Sequence, residues 1–154
     1  MIAINRILHP SDFSDNSNHA LKYACTLAEY FKAELHLLNV VVEPLVSVSP
    51  PIGGFLPADY YQNIVEQAEK NLQNLVNENV QSDLKTVQET VSGTPFLEIV
   101  RYSRNHNIDM LVMGTHGYTG IKHLIMGSVA ENVVRKAPCP VLTVHADDHE
   151  FVMP

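Results

Sequence analysis

The chain has 154 residues, enough for one domain with a hydrophobic core of its own. Apolar residues make up 45% and charged residues 18%, the balance of a globular domain and not of a disordered or fibrous chain. A formal net charge of −7 without a basic stripe argues against nucleic acid as a partner, and no apolar run approaches the length of a membrane span. Cys25 and Cys139 form no CxxC motif and no secretory signal precedes the first strand, so the expectation is reduced thiols and a cytoplasmic protein.

In chain order, Ile4 to Leu8 reads as a first strand, ended by His9-Pro10-Ser11-Asp12. Ser14 to Ser17 offer several N-caps for a helix reaching about Lys32. Its Leu21, Ala24, Leu27, Ala28 and Phe31 recur at helical spacing and predict one buried face. Glu34 to Val42 contains Leu35, Leu37, Leu38, Val40, Val41 and Val42, as a strand buried on both faces of a parallel sheet would. Pro44, Pro50, Pro51 and Pro57, with Gly53 and Gly54, exclude regular structure from 43–59, leaving either a lid or partner-contact segment or structureless filler.

Tyr60 to about Asn79 is amphipathic, with Ile64, Ala68, Leu72, Leu75 and Val76 on one side of a long helix. Lys85 to Val91 alternates as a strand, and Ser92-Gly93-Thr94-Pro95 turns the chain into a helix carrying Phe96, Ile99, Val100 and Tyr102. Asp109 to Met113 is a fourth strand, Val129 to Lys136 a fourth helix and Pro140 to Val144 a fifth strand. A polar tail, 147–154, follows a domain of 1–146. This alternation predicts an α/β fold of three layers, a doubly wound five-stranded parallel sheet with helices on both faces. Ligands in such sheets bind beyond the carboxyl ends of the strands, where the strand order reverses.

The chemistry concentrates between the fourth strand and its helix, in Met113-Gly114-Thr115-His116-Gly117 and, further on, Gly127-Ser128-Val129. Glycines at such a handover free backbone N–H groups to cradle an anion, and Ser128 could bond a phosphate oxygen. The plain alternative is glycine turns with Ser128 as an ordinary helix cap. Asp12 likewise has two readings, a ligand contact or a residue of the helix entry, while His9 reads as packing at a strand end. His116 could donate to a phosphate or face solvent from a turn.

The spacing G-x2-G-x9-G-S of Gly114, Gly117, Gly127 and Ser128, with Pro10-Ser11-Asp12 after the first strand, resembles the ATP-binding subgroup of the universal stress protein family over nearly the whole chain. The resemblance implies strand order 3-2-1-4-5, an adenine-nucleotide alpha-hydrolase-like arrangement, and a homodimer paired through the fifth strands, Val141–Val144. It implies that Asp12 contacts the ribose or a Mg or Mn ion carried by the nucleotide. Val40 offers backbone bonds to adenine, and the glycine loop with Ser128 and Val129 holds the phosphates. Relatives often place Arg or Lys after the second glycine where this chain has Tyr118, so AMP and ADP stand beside ATP as ligands, with His116, Lys122 and His123 near enough in sequence to compensate. A Walker A sequence is absent and no nucleophile–base pair stands out. The reading is therefore a nucleotide-binding regulatory or sensing protein of the stress response, more than an enzyme. The alternatives are a slow ATP hydrolase or phosphoryl-transfer enzyme and an interaction module that binds no nucleotide.

Overall fold

Strands and helices alternate along the computed structural model, which describes residues 2–42, 59–116 and 126–145. They are β1 (Arg6–Pro10), α1 (Asp15–Phe31), β2 (Glu34–Val41), α2 (Tyr60–Asn79), β3 (Thr86–Ser92), α3 (Pro95–Asn105), β4 (Met110–Gly114), α4 (Ser128–Lys136) and β5 (Val141–Val144). The readings made for the proline-rich segment 43–58, for Gly117, Tyr118, Lys122 and His123, and for the tail 147–154 lie outside the described residues. The sheet order is β3-β2-β1-β4-β5 with every pair parallel, the expected doubly wound arrangement. No helix among the described residues is long and apolar enough to cross a membrane.

Successive strand residues point to opposite faces, and the two cores follow from that period. Ile7 and Leu35, Leu37 and Val112 pack beneath α1 and α2 with Leu21, Ala24, Leu72 and Leu75. Leu8, Leu38, Leu111 and Met113 face the other way, against Ile99 and Tyr102 of α3 and Ala130 and Val133 of α4. The strand order reverses between β1 and β4, so right-handed crossovers place the helices on opposite faces on the two sides of that point.

Two expectations at the edges of elements need correction. β1 spans Arg6–Pro10 and not Ile4–Leu8, because its ladder with β2 runs from Arg6↔Glu34 to Pro10↔Leu38. His9, polar by type, is fully buried inside that strand. Phe31 is 39% exposed and stands edge-on to Tyr30 instead of completing the buried face of α1. The helix ends beside it: Lys32 turns left-handed at φ 55°, and Ala33 takes the last core position.

Candidate functional site

A cavity of about 360 Å³ opens at the carboxyl ends of the strands, between the exits of β1 and β4. That is within the range of small-molecule sites, roughly 300–1,000 Å³. Pro10, Ser11 and Asp12 form one wall; Val40 and Val42 form a second. Met113, Gly114, Thr115 and His116 come from the end of β4, and Gly127, Ser128, Val129 and Ala130 from the start of α4. Leu38, Ser17, Pro95 and Ile99 complete the lining.

The β1 exit is held from beneath by a buried polar chain. The Ser11 N–H donates to Leu38 O at 2.8 Å, and Asn39 Nδ2 donates to Ser11 O at 2.8 Å. Ser17 Oγ donates to Ser11 Oγ at 3.2 Å and lies 3.4 Å from Nε2 of His9, whose Nδ1 bonds Val112 O at 3.0 Å. Burial pushes the His9 pKa down to about 4, outweighing the Val112 carbonyl and the charge of Asp12, both of which favour the protonated ring. His9 is thus the packing residue expected, in neutral form.

Asp12 is tied into the helix entry as well as lining the cavity. Its Oδ1 accepts from the Ser14 N–H at 3.0 Å and from Ser14 Oγ at 2.6 Å, while Ser14 Oγ caps α1 by accepting from Ser17 N–H at 3.2 Å. Asp12 is therefore a residue of the helix entry, as one sequence reading has it, and it also lines the cavity. Between Asp12 and Ser14, Phe13 adopts φ 63°, a left-handed conformation unusual for a bulky residue. Its N–H donates to Ser11 Oγ at 3.1 Å and its ring packs against the α1–α2 core. Nothing in the sequence pattern singles out Phe13. Its ring and its N–H bond hold the bend that turns Asp12 toward the cavity.

The contribution of Val40 follows from ladder parity. On the β1 side, Glu34 N–H donates to Asn5 O and Leu38 O accepts from Ser11 N–H; on the β3 side, Leu35 N–H donates to Lys85 O and Val41 O accepts from Gly93 N–H. Even-numbered residues of β2 thus address β1 and odd-numbered ones β3. Pairing with β1 stops at Pro10↔Leu38, so the peptide groups of Val40 extend past the end of β1, over the cavity.

The β4–α4 wall corrects the glycine reading in two places. The Gly127 N–H is not presented to a ligand: it donates to Thr115 O at 2.7 Å and closes the loop. Ser128 is not the cap either, because Gly127 occupies the N-cap and Ser128 is the first helical residue. The change strengthens the anion reading. Gly127 has no side chain to satisfy the first turn, and the N–H groups of Ser128, Val129 and Ala130 have no intrahelical acceptor. Those three residues line the cavity. Gly114 is required for packing: a Cβ there would lie 3.1 Å from Asn16 O and 3.3 Å from His116 O.

Of the residues singled out from sequence, Pro10, Ser11, Asp12, Val40, Met113, Gly114, His116, Gly127, Ser128 and Val129 all line this one cavity, and Gly117 lies outside the described residues. Sequence reasoning missed Thr115, Ser17, Leu38, Val42, Pro95, Ile99 and Ala130. Pro95 and Ile99 carried a visible signal, since a helix N-terminus following β3 must also sit at the carboxyl end of the sheet. Asp12 and His116 are the ionisable groups among the described lining residues. No cluster of three or more His, Cys, Asp or Glu able to hold a metal ion occurs among the described residues. The helix-start amides of α4 and the Val40 peptide groups give the cavity polar contacts, while Pro95 and Ile99 give it apolar surface.

Comparison with known proteins gives concordant results. The family model described as the universal stress protein family matches residues 3–145. The universal stress protein MJ0531 of Methanocaldococcus jannaschii is 35% identical over 144 residues, covering 90% of this chain and 81% of the relative. The solved structure of MJ0577 from the same organism superposes with a TM-score of 0.77 at 29% identity, covering 96% of this chain and all (100%) of that one. A universal stress protein from Archaeoglobus fulgidus, solved in complex with dAMP, has the same fold at a TM-score of 0.63 and 20% identity, covering 93% of this chain and 98% of that one.

Proposed function

The chain belongs to the universal stress protein family, and from that premise we propose that it is an adenine-nucleotide-binding protein whose occupancy by ATP, ADP or AMP serves a regulatory or sensing role in the stress response. The observation that carries the reading is the convergence on one cavity of the α4 amides, Asp12 and the Val40 peptide groups. Adenine would lie against Val40 and Ile99, reading the Val40 peptide groups as a base edge reads a strand. Asp12 would accept from ribose hydroxyls, and the phosphate would sit on the N–H groups of Ser128 and Val129, where the helix dipole favours negative charge. The dAMP complex of the Archaeoglobus protein supports the choice of an adenine nucleotide.

A Mg or Mn ion would arrive on the phosphates, with Asp12 the lining carboxylate able to meet it. The edge strand β5, with Leu142 38% exposed, supports pairing of two copies through Val141–Val144, which would bury an otherwise open edge. The deciding experiment is calorimetry with AMP, ADP, ATP and GTP as competitor, alongside mass spectrometry of nucleotide released from the denatured protein. Binding of adenine nucleotides over GTP supports the proposal. No heat with any adenine nucleotide at millimolar concentration, and no released nucleotide, would defeat it.

A further inference from the structure

Thr115 is 1% exposed and stands at a junction of three elements. Its N–H donates to Val144 O at the end of β5, and its carbonyl accepts the Gly127 N–H at the start of α4. Because Gly114 pairs with Val144, Thr115 and His145 leave the sheet side by side. The Thr115 hydroxyl then lies 3.1 Å from Nδ1 of His116 and 3.2 Å from Nδ1 of His145. A hydroxyl has one proton and two lone pairs, so between two neutral imidazoles it donates to one Nδ1 and accepts from the other. When either ring gains a proton, its Nδ1–H has the Thr115 oxygen to donate to. Protonation at Nε2 of the ring that already donates leaves the bridge as it is, whereas protonation of the other ring turns the Thr115 hydroxyl proton away and makes its oxygen the acceptor for both rings.

We infer that His116, oriented by Thr115 and backed by His145, supplies the side-chain charge that a nucleotide phosphate meets in this cavity, so that phosphate recognition is linked to proton uptake. The inference rests on the nucleotide reading above and adds to it a pH-dependent specificity for the phosphorylated ligand. His116 lines the cavity at the end where the Gly127–Thr115 bond fixes the Ser128 and Val129 amides. Among the described residues, the ionisable groups around it lie in three places. Asp12 lies on the β1 exit, His145 stands behind Thr115, and His9 lies beneath, held neutral by burial. β2 and α3 contribute Leu38, Val40, Val42, Pro95 and Ile99, while α4 contributes Ser128, Val129 and Ala130. Among the described lining residues, His116 is therefore the side chain that can become a cation, and imidazole is the side chain whose charge changes between pH 5 and 8.

The test is calorimetry with AMP and with adenosine at pH 6.5, 7.5 and 8.5, each in two buffers of different ionisation enthalpy, on wild type and His116→Asn. For wild type, AMP affinity should fall about tenfold from pH 6.5 to 8.5, with a fraction of a proton taken up at pH 7.5; adenosine affinity should stay flat with no proton uptake. His116→Asn should lose the AMP slope and the uptake. The phosphate titrates with both proteins, so the inference is read from the difference in slope between them. Equal slopes in wild type and variant overturn the inference and leave nucleotide binding standing. Adenosine 5′-sulfate, whose sulfate stays a monoanion across this range, gives a test on wild type alone: affinity and proton uptake that do not change with pH overturn the inference whether or not the variant folds. Silence from both ligands at every pH removes the inference together with the nucleotide reading.

Discussion

Acid should weaken this fold through His9. The ring is fully buried, with its Nδ1–H on Val112 O at 3.0 Å and its other nitrogen facing Ser17 Oγ at 3.4 Å. Burial holds its pKa near about 4, against 6.5 for an imidazole in water. Between those values the unfolded chain binds a proton that the folded chain refuses, so stability falls as pH drops through the window. The contribution is complete above pH 6.5 and gone below about 4, and the gap between the two pKa values corresponds to about 3 kcal/mol. At pH 4.5 about 2.5 kcal/mol of it is already lost, a large share of the 5–15 kcal/mol typical of a whole domain. The assay is urea unfolding at pH 7.5 and 4.5 on wild type and His9→Asn, whose amide keeps a donor for Val112 O. The variant starts less stable at pH 7.5 through lost packing, and its acid loss is smaller than that of wild type by about 2 kcal/mol. An equal acid loss in both proteins would refute the assignment to His9.

Gly114→Ala places a Cβ 3.1 Å from Asn16 O and 3.2 Å from its carbonyl carbon, backbone atoms that cannot rotate aside, so denaturant melts should show a loss of about 1–3 kcal/mol. Ser14→Ala removes both the N-cap of α1 and a donor to Asp12, and should cost about 1–2 kcal/mol in the same assay. Lys32→Gly relieves a left-handed residue at φ 55° on the exposed end of α1, and should raise stability by about 0.5–1 kcal/mol, read as a higher melting temperature. A fall in melting temperature for Lys32→Gly would mean that the αL residue is not strained.

Much of this architecture was legible because β-α alternation constrains topology strongly. Tyr60–Asn79 and Pro95–Asn105 form helices at the bounds their periodicity and the Pro95 turn imply. Gly114, Gly127 and Pro10-Ser11-Asp12 line one cavity because they lie at strand exits on one end of the sheet. What the pattern did not disclose is which job each glycine does. A glycine looks the same in sequence whether it admits a ligand, as anion cradles require, or a neighbouring backbone, as Gly114 does with Asn16. Hydrogen-bond direction is equally hidden: the Gly127 N–H turned out to serve Thr115 O, which moved the free amides one residue onward to Ser128 and Val129. Phe13 at φ 63° and the burial of His9 depend on long-range packing that no local window contains.

The cavity itself has a single structural origin, the early end of the central strand. β1 pairs with β2 only as far as Pro10↔Leu38, and its register with β4 is carried by Ile7↔Met110 and Leu8↔Leu111. Its neighbours go further, β2 to Val41 and β4 to Gly114 against Val144. The missing length of β1 is the space between them. Beyond Leu111 the Val112 carbonyl is met by the side chain of His9 instead of a strand amide, which is why a polar residue belongs in the middle of the core. Beyond Leu38 the Val40 peptide groups look across the same gap toward His116 and the α4 amides. Backbone therefore faces the cavity here without any strand being distorted. A chain that carried β1 two residue pairs further, to Asp12↔Val40, would satisfy Val40 by its own ladder, and would gain a more complete sheet at the cost of the crevice that the proposed function needs.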